Sequence, residues 1–208
     1  MRVVLRTFGE LSVTCGVAML LFCAYLLWGT GSYTQHHQLL LKRELAEDAR
    51  QAKVAKKLAK LDIGDAVGLI RIPRFGRDYE YVVLEGVDPG DLRKGPGHYP
   101  GTALPGEVGN FVVSGHRTTY AAPFNRLDEL HRGDEIVVDA PAGRYTYQVS
   151  RTKVVDPAAV DVVAPVPERP GRRPAKAMIT LTTCHPEYSD RQRLIVFGVL
   201  SGTTGRED

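Results

Sequence analysis

From Asp62 onward glycine and proline interrupt the chain every few residues, and between them stand short runs rich in valine, isoleucine, threonine and aromatic residues. Helices of about ten residues or more do not survive such breaks, whereas strands of about five do, so this part is expected to be all-β, a sandwich or barrel. The runs predict strands at Ala66–Ile72, Tyr79–Leu84, Asn110–Ser114, Glu135–Val138, Arg144–Ser150, Thr152–Val155, Ala177–Thr182 and Leu194–Leu200. Short helical turns are expected at Asp88–Lys94, Phe124–Leu130 and Pro157–Val162, and an exposed, semi-extended loop at Pro165 to Pro174. Residues 62–202 make one domain with enough chain for a single core, and 203–208 a flexible tail.

The first sixty residues differ in texture. Leu11 to Trp28 is apolar apart from Ser12, Thr14 and Gly16 and carries no charge. At about 1.5 Å per residue it crosses most of a hydrocarbon core of roughly 30 Å. Arg2 and Arg6 precede it, and the first Lys or Arg after it is Lys42. The positive-inside rule then puts residues 1–10 in the cytoplasm, 11–31 in the membrane as an uncleaved anchor, and the rest outside the cell. Bulky residues from Phe22 to Trp28 argue against a signal-peptidase site, and Cys15 and Cys23 carry no functional expectation. Residues 32–61 are charged and alanine-rich, with Leu45, Ala49, Ala52, Lys56 and Ala59 at helical spacing, and are expected as a helical stalk acting as a solvated spacer. The net charge of +3 is too small to indicate nucleic acid.

Outside the apolar stretch there is one cysteine, Cys184, closing the run Met178-Ile-Thr-Leu-Thr-Thr-Cys184. An extracytoplasmic domain with one thiol has no disulfide to form, and the polar, arginine-rich stretch that follows suits a reactive thiolate. A second apolar strand, Asn110-Phe-Val-Val-Ser114, delivers His116, and Arg193 stands at the mouth of the last strand. Thiol, imidazole and guanidinium form a chemical set of nucleophile, general acid or base, and oxyanion-stabilising cation. A free cysteine with pKa about 8.5 is only slightly ionised at neutral pH and needs such partners. Taken alone, a histidine after a strand is more often a surface or packed residue, so the set by itself leaves a non-catalytic reading open.

TLTTC at Thr180–Cys184, the histidine of SGHRTTY at Ser114–Tyr120 and the RLIVFG run beginning at Arg193 occur in an order and separation that resemble the sortase family over nearly all of residues 66–200. The resemblance implies a closed eight-stranded β-barrel and a transpeptidation that attaches secreted proteins carrying a C-terminal sorting signal to an amine of a cell-wall peptidoglycan precursor, without a cofactor. It makes Cys184 the nucleophile, His116 the general acid and base, and Arg193 the group steadying substrate and oxyanion, with Thr183 beside the tetrahedral intermediate. GHRTTYAAPF at Gly115–Phe124 and CHPEYSDRQRLIVFG at Cys184–Gly198 look most like class E, which implies a Leu-Ala-x-Thr-Gly signal in preference to Leu-Pro-x-Thr-Gly. Tyr120, four residues after His116 on the loop leaving that strand, is expected to line the substrate groove, with packing under the loop as the plainer alternative.

Other residues are weighed against plainer roles. His98, in the turn-rich Gly95-Pro-Gly-His-Tyr-Pro-Gly101, is a candidate for touching substrate. His185 follows Cys184 on an extended backbone, so its side chain is expected on the opposite face, in packing or loop bonding. The rival readings are a metal site from His98, His116, Cys184 and His185, which lacks the short paired ligand spacing of closed zinc sites, and an anchored binding module with a packed Cys184. The scattered acidic residues give no calcium-loop pattern.

Overall fold

The computed structural model describes residues 2–25, 29–51 and 62–205. Two helices, α1 (Arg2–Ala24) and α2 (Thr30–Gln51), lead into a closed barrel with strands β1 (Ala66–Arg71), β2 (Glu80–Glu85), β3 (Gly97–His98), β4 (Gly109–Ser114), β5 (Glu135–Ala140), β6 (Gly143–Val155), β7 (Ala177–His185) and β8 (Gln192–Thr204). Around the barrel they run β1-β2-β3-β4-β7-β8-β6-β5, and β1 pairs with β5 to close the ring.

The barrel has eight strands as expected, though not the same eight. The two strands predicted on either side of Arg151 are one, β6, whose register against β8 shifts between Val149 and Arg151. The break in alternation is therefore a bulge rather than a turn, and the Ser150 hydroxyl there donates to the carbonyl of Phe197 at 3.0 Å. The eighth strand is the two-residue β3, parallel to β2 and antiparallel to β4, inside the stretch read as a turn-rich loop.

Alternation sorts each strand into an inner and an outer face. Ile70, Val83, Phe111, Val113, Ile179, Leu181, Leu194 and Val196 meet inside the barrel with Tyr147, and Phe124, Leu127 and Leu130 from the β4–β5 connection belong to the same core. Several strands are apolar on their outer face too, which is why they read as continuous rather than alternating runs. Ile195 and Phe197 of β8 are covered by Val162 of a short 3-10 turn (Val160–Val163). Ala66, Val82 and Leu84 of β1 and β2 are covered by Leu41 and Leu45 of α2.

That last contact corrects the expectation of a solvated spacer. Helix α2 lies on the barrel, and its contact stripe of Thr34, Gln38, Leu41 and Leu45 follows helical spacing. Half of the stripe is polar, so a hydrophobic pattern does not reveal it. The carboxamide of Gln38 accepts from the Val82 N–H at 2.6 Å and donates to the Val82 and Lys94 carbonyls at 3.0 Å each. It thereby pairs backbone groups that the short β3 leaves open. Gly95 permits this approach, since a Cβ there would stand 2.1 Å from the Gln38 amide nitrogen. Ala52, Lys56 and Ala59 of the expected stalk, and residues 206–208 of the expected tail, lie outside the described residues.

Among the described residues no helix is long and apolar enough to cross a membrane. The expected span Leu11–Trp28 overlaps α1 but ends in residues 26–28, which lie outside the described residues.

Candidate active site

The register of three adjacent strands assembles the candidate residues. β4 and β7 pair in parallel with an unbroken offset from Gly109 opposite Ala177 to Ser114 opposite Thr182. The Gly115 N–H then donates to the Thr182 carbonyl at 3.1 Å, and the Thr183 hydroxyl to the Gly115 carbonyl at 2.8 Å. The two chains thus leave the barrel wall together, carrying His116 and Cys184 at the same level. On the other side of β7, the antiparallel register sets Cys184 directly opposite Arg193 of β8, and directly opposed residues share a face. Ile179 and Leu181 point into the core, so Cys184, three residues past Leu181, lies on the outer face while Thr183 and His185 turn inward.

Cys184 is half-buried, as are His116 and Arg193. Burial, reinforced by the positive charge of Arg93, holds the His116 imidazole below its ordinary pKa and so in the neutral form that accepts protons. Its Nε2 is buried without a hydrogen-bond partner among the described residues. The Arg193 Nη1 donates to the carbonyls of Asp190 at 2.7 Å and Gln192 at 3.0 Å, which fixes the guanidinium against its own strand entrance.

Tyr120 stands beside His116, with ring centroids 4.9 Å apart. It opens three consecutive residues with left-handed backbone, Tyr120, Ala121 and Ala122, at φ 52°, 61° and 43°. Such geometry costs roughly 1–2 kcal/mol per non-glycine residue and persists only where neighbours impose it. Here Tyr81 donates its hydroxyl to the Ala121 carbonyl at 3.1 Å and Tyr79 to that of Pro123 at 2.7 Å. Phe124 packs on Gly115 so closely that a Cβ at Gly115 would lie 2.7 Å from its ring.

Thr183 is buried behind Cys184, its hydroxyl committed to Gly115. His98 is not brought to the site's surface: it is buried in the wall, with Nδ1 2.6 Å from Glu85 and Nε2 2.8 Å from the Thr102 hydroxyl. His185 lies opposite to Cys184 and meets Arg117. The set His98, His116, Cys184 and His185 therefore does not converge, and among the described residues no three His, Cys, Asp or Glu side chains are grouped to hold a metal.

Two arginines escaped the sequence reading. Arg117 is 4% exposed; its Nη1 donates to His185 Nδ1 at 2.9 Å and to the Cys184 carbonyl at 3.4 Å, and its Nη2 pairs with Asp128 at 3.1 Å. Alternation was the available signal, because a residue after an outward His116 turns inward. Arg93, 59 residues from Thr34 but bonded to it, has its guanidinium 5.8 Å over the Tyr120 ring. No local pattern announces that contact.

The family model described as Sortase domain matches residues 70–201. Sortase SrtE1 of Streptomyces coelicolor is 34% identical over 93% of this chain, which spans 56% of that relative's length. Among solved structures, sortase E from Streptomyces avermitilis aligns at 38% identity with a TM-score of 0.63, covering 69% of this chain and 93% of that one. The SrtF sortase from Corynebacterium diphtheriae aligns at 30% identity with a TM-score of 0.69, covering 74% and 92%. With the barrel, the strand register and these likenesses in agreement, the chain belongs to the sortase family of cysteine transpeptidases and is class E-like.

Proposed function

We propose that this chain cleaves a C-terminal sorting signal of the Leu-Ala-x-Thr-Gly or Leu-Pro-x-Thr-Gly type between threonine and glycine and transfers the acyl group to an amine of a peptidoglycan precursor. The observation that carries the reading is the placement of His116, Cys184 and Arg193 on three neighbouring strand ends. In the proposed sequence the Cys184 thiol gives its proton to His116 and its sulfur attacks the threonine carbonyl carbon. The oxyanion that forms lies on the Arg193 side, where a guanidinium offers a fork of donors. Collapse breaks the peptide bond, His116 returns the proton to the departing glycine amine, and a thioester remains on Cys184. An incoming amine attacks the thioester, its surplus proton passes to His116 and then to the departing sulfur, and the thiol is restored.

The same proposal holds the enzyme at the cell membrane as a single-pass protein with its N-terminus in the cytoplasm. The apolar Leu11–Trp28 stretch and the basic residues before it support this. The docking of α2 supports a short connection, since Thr34 already bonds the carbonyl of Arg93 at 2.6 Å. Exported substrates and lipid-linked wall precursors meet at that surface.

Mass spectrometry of the full chain after incubation with sorting-signal peptides tests the reading. The expected result is an acyl adduct on Cys184 that hydroxylamine removes and that Cys184→Ala never forms. Peptide cleavage that persists within tenfold of the parent in Cys184→Ala would sink it.

A further inference from the structure

Strand order lays the charged groups out in a line. Arg193 enters from β8, Cys184 from β7 and His116 from β4, and on the far side of His116 lies the segment between β2 and β3, which carries Arg93. The site therefore has a guanidinium on each flank, one beside the thiol and one beside the imidazole. Arg93 is exposed, and its guanidinium enters no ion pair and no hydrogen bond among the described residues; it stands 5.8 Å over the Tyr120 ring, and its charge bears on His116. It is nonetheless held in place. Thr34 of α2 donates to the carbonyl of Arg93 at 2.6 Å, and Gln38 to that of Lys94 at 3.0 Å, so the docked helix fixes the backbone from which this side chain projects.

A cation beside the general base affects the two half-reactions differently. The acceptor amine must reach the thioester where His116 can take its proton, so it approaches on the imidazole side. A positive charge there repels an ammonium and lowers the local concentration of a simple amine. The penalty becomes a gain when the acceptor carries a carboxylate near its amine, because a planar guanidinium binds that group through paired N–H donors.

We propose that Arg93 forms a carboxylate subsite for the acceptor, and that the preferred nucleophile is an amine with a carboxylate nearby. This rests on the transpeptidase reading and specifies its second substrate. The amine nitrogen forms the new amide bond as the C–S bond breaks, with proton transfer through His116 as above, and the carboxylate stays ionised against Arg93 throughout.

The test compares glycylglycine with glycylglycine amide, two acceptors of similar amine basicity that differ in the carboxylate. With the full chain, the loss of the Cys184 thioester to ligated product is measured at rising concentrations of each. Glycylglycine is expected to be the better acceptor by about fivefold, the upper range for an exposed ion pair. The ratio falls to about one in Arg93→Ala and inverts in Arg93→Glu. An equal ratio in the parent and Arg93→Glu overturns the subsite, and so does a thioester that glycylglycine does not consume. A second readout needs no thioester: in Cys184→Ala, the NMR signals of the His116 ring are followed while each dipeptide is added. Glycylglycine is expected to shift them at lower concentration than its amide, with the difference lost in Arg93→Ala; identical titrations overturn the subsite. Failure to form any thioester, by contrast, counts against the transpeptidase reading and leaves this second comparison to decide on Arg93.

Discussion

Arg117 reaches the carbonyl oxygen of Cys184 at 3.4 Å, while Asn125 donates to the Arg117 carbonyl at 2.9 Å, so the residue after His116 is bonded to the backbone of Cys184. The strand ends carrying His116 and Cys184 are thereby joined again, beyond the Gly115–Thr182 and Thr183–Gly115 bonds. This acts on position rather than chemistry, because Arg117 turns inward. Arg117→Met should lower the rate of thioester formation by tenfold or more with little change in KM, and Arg117→Lys should recover part of it by keeping one charged donor. The urea midpoint of Arg117→Met should reflect a loss of about 2 kcal/mol, as buried acceptors lose their donor. A change in KM with kcat intact would show that Arg117 meets substrate instead.

The lowered pKa of His116 makes a signed prediction. Between its folded value and the ordinary one near 6.5, the unfolded chain binds more protons than the folded one. This histidine's contribution is therefore whole above the ordinary value and is lost as pH falls through the lowered one. His116→Gln should flatten that acid-side decline in a series of urea midpoints. Arg93→Gln removes the second cause of the shift, so the acid limb of the thioester-formation profile should move to higher pH. A limb that stays put or moves down would show that the charge of Arg93 does not reach the imidazole.

Helix α2 should behave as part of the domain. Gln38→Leu leaves the Val82 N–H and carbonyl buried without their partner, at about 1–3 kcal/mol. Leu41→Ala empties the contact over Val82 and Leu84, at about 2–3 kcal/mol. Both losses should appear in urea unfolding of the full chain. Denaturation curves matching the parent would mean that the helix stands off the barrel in solution.

Much of the barrel was legible because its strands carry dense apolar runs bounded by glycine and proline, and β1, β2, β4, β5, β7 and β8 fall close to their expected places. The residues that sequence could not supply act through distance. Gly97 and His98 have no run of their own and become a strand only by filling the gap between β2 and β4. Thr34 and Gln38 look like solvated helix residues until the open edge at Val82 is known. Cys184, His116 and Arg193 were legible as types at strand ends, but only the β4–β7–β8 register shows them to be neighbours.

Tyr120 offers a specificity test. Its ring is 4.9 Å from that of His116, and the left-handed run it begins is held by Tyr79 and Tyr81, so its position is imposed by the barrel and not by a free loop. On the proposed function, a signal peptide bound beside His116 would offer this phenol the backbone N–H of its second residue, which alanine has and proline lacks. Such a bond contributes roughly 0.5–1.5 kcal/mol, so alanine should be preferred by up to about tenfold. Comparing kcat/KM for Leu-Ala-x-Thr-Gly and Leu-Pro-x-Thr-Gly peptides, Tyr120→Phe should lose most of that preference while still forming the thioester. Because the phenyl ring keeps the contact with His116, the ratio isolates the hydroxyl. A ratio equal to the parent's would assign Tyr120 to supporting the imidazole alone.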